Sequence, residues 1–240
     1  MRVLALDTTT RVGSFALIED DRVIAERAGD PLRSHVERLP GDLLRVLDEF
    51  GYATSDIDVF AVAAGPGSFT GLRIGIATMQ GLAFVHRRPI VAISMLDALA
   101  HGASRELPPG ALVGAWMDAH RREVFSALYR VAGIDAAPLF SAERLVEAER
   151  PQAGDPAATL ARWTERFPPV AVYVGDGAEL YASLVAGKAR VVPAPSMAGV
   201  VGLMAVSRAT RGETVDPAGV QPIYIRRPDV EVARDGKLAD

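Results

Sequence analysis

The sequence predicts an α/β fold built from two similar halves with a cleft between them. Three observations predict it. Residues 2–8 and 111–117 are apolar runs that each meet an aspartate, Asp7 in the first and Asp118 directly after the second. Each run leads into a tight polar hairpin and a further strand, and then into helical stripes that alternate with short apolar strands. Between the halves, Ser104-Arg105-Glu106-Leu107-Pro108-Pro109-Gly110 has the turn-forming composition of a linker. The expected units are duplicated β-β-β-α-β-α layers over residues 1–106 and 111–212, with a tail over 213–240 packing back near the cleft.

In the first half, residues 2–8, 12–19 and 22–28 read as three short strands joined by tight turns, the second being Glu19-Asp20-Asp21-Arg22. Val36, Leu39, Leu43, Leu44, Val46 and Leu47 form a helical stripe between Ser34 and Phe50, closed by Gly51. Pro40 falls inside it and predicts a kink or a new start. A strand over 58–63, a helix over 69–86, a strand over 90–94 and a short helix over 95–101 follow. The second half restarts with the strand ending at Asp118, a charged turn, and a strand from Glu123 to Tyr129. A third strand near 138–146, a Pro/Gly-rich loop from Pro151 to Pro156, and helices over 157–167, 178–186 and 198–211 complete it, with strands over 170–174 and 189–193 between them.

The chain has 240 residues, 49% of them hydrophobic and 23% charged, which describes a globular protein able to bury a sizeable core. A net charge of −4 gives no global basic field for nucleic acid. With no cysteine there are no disulfides, thiolate zinc sites or cysteine nucleophiles. The N-terminal apolar run stops at Asp7, too short for a signal peptide, and the apolar helix over 69–86 carries Arg73, Gln80 and His86, so a cytoplasmic protein without a membrane span is expected. The four histidines, His35, His86, His101 and His120, form no i, i+4 pair and no H-E-x-x-H, so helical zinc chemistry has no ligand set.

Gly65-Pro66-Gly67-Ser68-Phe69-Thr70-Gly71 joins a strand to a helix, and its backbone N–H groups face whatever lies over the helix N-terminus. It fits neither G-x-G-x-x-G, nor a Walker A loop, nor a nucleophile elbow. Asp7-Thr8-Thr9-Thr10 is a strand-end carboxylate followed by hydroxyls, a pattern for phosphate and Mg²⁺ contact and equally for an Asx turn closing a hairpin. Asp118-Ala119-His120-Arg121-Arg122 lacks the glycines that let backbone approach phosphate. Gly175-Asp176-Gly177-Ala178, between a strand and a helix, reads as a plain strand-to-helix turn with Asp176 near the helix N-terminus, or as the adenosine contact that likeness to nucleotide-binding proteins of this layout implies. These positions (Asp7, Thr8, Thr9, Asp118, Gly175, Asp176 and Gly177) are the candidate nucleotide site. No bound cofactor or metal is expected, beyond weak nucleotide binding. On the helix over 69–86, Leu72, Gly75, Ile76, Met79 and Ala83 are the candidate partner interface, because a helix apolar over more than one face needs two neighbours.

GPGSFTGLRIG, with LALDTTT near the N-terminus and RSHVERLP between them, resembles the TsaB (YeaZ) family. The resemblance is dense over 1–104, with shorter echoes in DAHRREVF (118–125), VGDGA (174–178) and PIYIRR (222–227). It implies the two-domain actin-like fold of the sugar kinase, Hsp70 and actin superfamily. It also implies a non-catalytic role as partner of TsaD, the catalytic subunit that transfers a threonylcarbamoyl group to adenosine 37 of transfer RNA. The TsaE ATPase is then a third partner, transfer RNA is met only through the complex, and the chain alone forms a homodimer. The TsaD family carries H-x-x-x-H where this chain has Met95-Leu96-Asp97-Ala98-Leu99, so both metal-binding histidines are replaced by apolar side chains. His35 then reads as structural or interfacial. The rival readings are an ATPase or phosphotransferase using Asp7 and Asp118, a glycoprotease-like metallopeptidase, and a transfer-RNA-binding protein in its own right.

Overall fold

A computed structural model of the chain describes residues 1–133, 138–194 and 196–226. The first half contributes β1 (Arg2–Asp7), β2 (Ser14–Glu19), β3 (Arg22–Ala28), α1 (His35–Glu49), β4 (Val59–Gly65), α2 (Phe69–His86), β5 (Ile90–Ser94) and α3 (Met95–Ala103). Its sheet has the order β3-β2-β1-β4-β5. The hairpin strands pair antiparallel and β1, β4 and β5 pair parallel. The second half contributes β6 (Leu112–Asp118), β7 (Val124–Val131), β8 (Leu145–Gly154), α4 (Pro156–Arg166), β9 (Val172–Val174), α5 (Asp176–Leu180), α6 (Ala182–Val185), β10 (Arg190–Val192) and α7 (Ala198–Thr210). Read from its far edge, the second sheet is β8-β7-β6-β9-β10, the same order with the same pairing senses. The two-domain α/β fold of actin-like type is therefore present as a structural duplication.

The period-2 alternation of each central strand decides which core each side chain enters. On β1, Val3 and Ala5 face a central core while Leu4 and Leu6 face an outer one with Leu39, Leu43, Leu47, Ile76 and Met79. On β6, Val113, Ala115 and Met117 join the same central core while Leu112 and Trp116 face a second outer core with Leu160 and Trp163. The two sheets thus share one apolar layer, filled by α3 and α7. Although α7 comes from the C-terminal half, it lies on the first sheet, where a Cβ at Gly202 would stand 2.1 Å from Ile18 Cδ1. Its N-terminus is capped from that sheet too: Ser14 Oγ accepts from Met197 N and Ala198 N at 3.1 and 3.0 Å, and Glu26 accepts from Gly199 N at 2.8 Å.

Several expectations are corrected. Helix α1 runs unbroken through Pro40, with no new start. The segment from Pro151 to Gly154 is strand, not loop: it ends β8, an edge strand, where Pro removes no bond that a further neighbour needs. The expected helix over 178–186 is two short helices meeting at Tyr181. The first part of the linker, Ser104–Glu106, is a 3₁₀ turn with Ser104 fully buried.

The largest correction concerns the interface. Leu72, Gly75, Ile76, Met79 and Ala83 are all buried within the chain itself. Ile76, Met79 and Ala83 belong to the outer core of the first sheet, and Gly75 abuts the first hairpin, where a Cβ would stand 2.1 Å from Thr8 Oγ1. The small residues admit the chain's own first hairpin, Gly71 its backbone at Thr8 O and Gly75 the Thr8 side chain. The outward face of α2 presents Thr70, Arg73, Ala77, Gly81, Phe84 and Val85 instead.

Of the tail, residues to Arg226 are described, and 227–240, including the last residue of PIYIRR, lie outside the described residues. Val215 bridges to Ile90, Gln80 donates to the carbonyls of Pro217 and Val220 at 2.7 and 3.3 Å, and Ile223 N donates to Ala64 O at 2.7 Å. Tyr224 stacks at 5.6 Å on Phe69. Arg226 then reaches the second half, bonding Glu123 and, at 3.0 Å, the carbonyl of Ala119.

Candidate functional site in the cleft

Both central strands end at the cleft. At the end of β1, Asp7 Oδ1 accepts from Thr9 N at 2.8 Å and from Thr9 Oγ1 at 2.7 Å, an Asx turn. Asp7 is only 4% exposed. Burial pushes its carboxyl up from 3.8 to about 6, the Thr9 bonds opposing this and the charges of Asp176 and Glu26 adding to it. Thr8 Oγ1 donates to Gly71 O at 2.8 Å and Ser68 N donates to Thr9 O at 2.7 Å, so the hairpin is clamped to the start of α2. Gly67, at φ 155°, is required there: a Cβ would sit 2.6 Å from that of Thr9.

At the end of β6, Asp118 accepts from His120 N at 2.8 Å and pairs with His120 Nδ1 at 3.1 Å. His120, Arg121 and Arg122 hold φ of 57°, 53° and 63°, the left-handed region that costs non-glycine residues energy. This hairpin is closed on its own side chains and offers no glycine backbone to a ligand. Asp176 Oδ1 accepts from Asp118 N at 3.1 Å and Gly177 N at 2.9 Å, and burial pushes its carboxyl up. Gly175, at φ 110°, and Gly177 press on β6, with Cβ positions 2.2 Å from Trp116 O and 2.6 Å from the Met117 carbonyl carbon.

The structure therefore brings Thr9, Asp118 and Asp176 to one cleft, leaves Asp7 and Thr8 buried behind it in the Asx turn and the clamp to α2, and gives Gly175 and Gly177 a packing role against β6. A cavity of about 720 Å³ opens there between Thr9, Ser68, Thr70, Asp118 and Asp176, with Arg11, Arg33 and His120 around it. A smaller one of about 370 Å³ lies between the Gly67 loop and the tail residues Ile223 to Arg226. Sequence reasoning missed Arg11 and Arg33; the tail, expected to pack back near the cleft, contributes Ile223 to Arg226 to the cleft wall. PIYIRR was the only signal for the tail.

His35 ties α1 to the first hairpin, its Nε2 facing Thr10 O at 3.0 Å and its Nδ1 facing Arg38 Nη2 at 2.9 Å; burial lowers its basicity, and it also lines the cleft cavity. Met95 and Leu99 are 1% and 3% exposed members of the central core. Among the described residues, no three His, Cys, Asp or Glu side chains are grouped to hold a metal ion, and no helix is long and apolar enough to cross a membrane.

The duplicated α/β fold with a cleft between its halves is of actin-like type, and the family model described as "TsaD: tRNA N6-adenosine threonylcarbamoyltransferase" matches residues 29–186. The chain is 39% identical over 130 residues to the Escherichia coli (strain K12) "tRNA threonylcarbamoyladenosine biosynthesis protein TsaB", covering 54% of this chain and 55% of that protein. An uncharacterized protein of Mycobacterium tuberculosis (strain ATCC 25618 / H37Rv) is 31% identical over 238 residues, covering 95% and 93%. The structure titled "YeaZ from Pseudomonas aeruginosa" superposes with a TM-score of 0.70 at 29% identity, over 93% of this chain and 99% of that one. The chain belongs to the TsaB (YeaZ) family. It spans about half the length of the curated relatives named TsaB that it matches.

Proposed function

We propose that this chain is a non-catalytic partner subunit in the biosynthesis of N6-threonylcarbamoyladenosine at position 37 of transfer RNA, where it binds and supports the catalytic TsaD subunit. Family membership supports the pathway. The observation that carries the partner role is the outward face of α2: Ala77 and Gly81 are exposed and Phe84 and Val85 are 76% and 72% exposed, on a helix whose other face already fills the core. Small and apolar residues on an exposed helix suit close packing with a second helix. Val36 and Leu44 of α1 add exposed apolar surface in the same half.

The chemistry then rests with the partner, because the positions of its histidine ligands hold buried Met95 and Leu99 here. In this reading the isolated chain is a homodimer through the α2 face, TsaE is a third component, transfer RNA is met only in the complex, and the protein works in the cytoplasm. The cleft retains at most weak nucleotide binding. The test is co-purification with the TsaD-type protein of the same organism and a transfer assay on unmodified transfer RNA. Co-elution and dependence of transfer on both chains are expected; separate elution with transfer undiminished by omission of this chain refutes the role.

One observation favours the rival ATPase reading: a buried carboxyl, Asp7, pushed up to about 6 by burial, with the charge of Asp176 adding to the shift. ATP turnover by the purified chain that Asp7→Asn abolishes would establish it.

A further inference from the structure

The second half carries an apolar pocket on the face of its sheet away from the central core, sharing no residue with either cleft cavity. Its volume is about 370 Å³, and Trp163, Phe167, Pro168, Val170, Tyr173 and Lys188 are among its walls. That is the lower end of the range for small-molecule sites. The walls are fixed before any ligand arrives. Trp163 Nε1 donates to Glu149 Oε1 at 2.6 Å, and Arg162 and Arg166 hold the same carboxylate at 2.9 and 3.0 Å. Tyr173 stacks on Trp163 at 6.1 Å and meets Trp116 edge-on at 5.0 Å.

Two polar groups in this apolar wall have no partner in the protein. Tyr173 is 2% exposed, yet its phenol makes no hydrogen bond among the described residues. Burial pushes that phenol up to about 12, so it stands ready as a neutral donor. The hydroxyl oxygen itself is not sealed from solvent but opens at the pocket wall, where it can donate to an incoming acceptor. Lys188 is exposed at the pocket wall with no carboxylate paired to it among the described residues, whereas Arg162 and Arg166 are both committed to Glu149. An apolar slot with one donor and one uncommitted cation is complementary to a compact molecule with an aromatic or branched aliphatic body and an anionic head.

We propose that this pocket binds a small apolar carboxylate, its body against Trp163, Phe167 and Val170 and its carboxylate accepting from Tyr173 and Lys188. The site is separate from the cleft and from the α2 face.

The chain supplies its own reporter, since its two tryptophans, Trp116 and Trp163, both belong to this aromatic cluster. The experiment titrates the full chain with 3-phenylpropionate and with the uncharged 3-phenylpropanol, reading tryptophan emission. Saturable change with the carboxylate is expected, with the alcohol weaker by about tenfold. Tyr173→Phe and Lys188→Ala should each weaken the carboxylate by about tenfold, the scale of one lost hydrogen bond or ion contact to a charged group. Both variants should keep the wild-type circular dichroism, because neither replaced group holds another part of the chain. No saturable change, equal binding of acid and alcohol, or full-strength binding by both variants overturns the proposal.

Discussion

Replacing Gly75 by alanine adds one methyl group to the chain and tests the internal assignment of the inner α2 face. The added Cβ would lie 2.1 Å from Thr8 Oγ1 and 3.2 Å from Thr8 Cβ. The first distance is far inside van der Waals contact and the second is tight, and retreat of Thr8 would break the bond of its hydroxyl to Gly71 O at 2.8 Å inside the clamp between hairpin and helix. Overpacking of this kind costs about 1–3 kcal/mol, and breaking the buried hydroxyl bond adds about 1–3 kcal/mol. Alanine returns about 1 kcal/mol through its helix preference over glycine. The net expectation is a loss of about 1–5 kcal/mol. For a chain of this size that lowers the thermal midpoint by roughly 2–20 °C. Urea unfolding followed by circular dichroism measures it. Gly81→Ala is the internal control: no atom lies within 4 Å of its Cβ, so it should be neutral or slightly stabilising. A Gly75→Ala protein as stable as wild type would refute the close approach of hairpin and helix, and would reopen that face as a partner surface.

Ala77→Arg and Gly81→Arg should leave the fold intact and abolish both self-association and co-elution with the TsaD-type partner; sedimentation showing an unchanged dimer would move the interface off α2. His101 is 5% exposed, and burial, with the charges of Arg208 and Arg144 adding to it, lowers it from 6.5 to about 4. The unfolded chain therefore takes up this proton first, so about 3 kcal/mol of stability, complete above pH 6.5, is lost as pH falls to 4. Urea midpoints between pH 7 and 4 should fall less steeply in His101→Leu. Asp7 acts with the opposite sign, since its carboxyl is raised from 3.8 to about 6 in the folded state. Its ionisation costs stability above pH 6, and that cost is relieved as pH falls toward 3.8. Asp7→Asn should accordingly stabilise the protein at pH 7 by about 1–3 kcal/mol, measured as a higher urea midpoint; an unchanged or lower midpoint would refute the uncompensated burial of that carboxylate.

The amino-acid sequence by itself determined the repeated strand-hairpin-helix order, the extent of the Phe69–His86 helix, the two strand-end aspartates and the family. These follow from local quantities: alternation along a strand, periodicity along a helix, and turn chemistry at Gly and Pro. Sidedness was decided only by tertiary structure. Helix α2 is apolar over more than one face, so its periodicity could not say which face meets the chain's own hairpin. The Cβ positions of Gly71 and Gly75, 2.2 Å from Thr8 O and 2.1 Å from Thr8 Oγ1, settle that. Nor could the sequence place α7 on the first sheet, because its N-terminal N–H groups find acceptors in Ser14 and Glu26, more than 170 residues away along the chain. Pairing of groups so distant is fixed by which buried surfaces fit, and no local pattern encodes that fit.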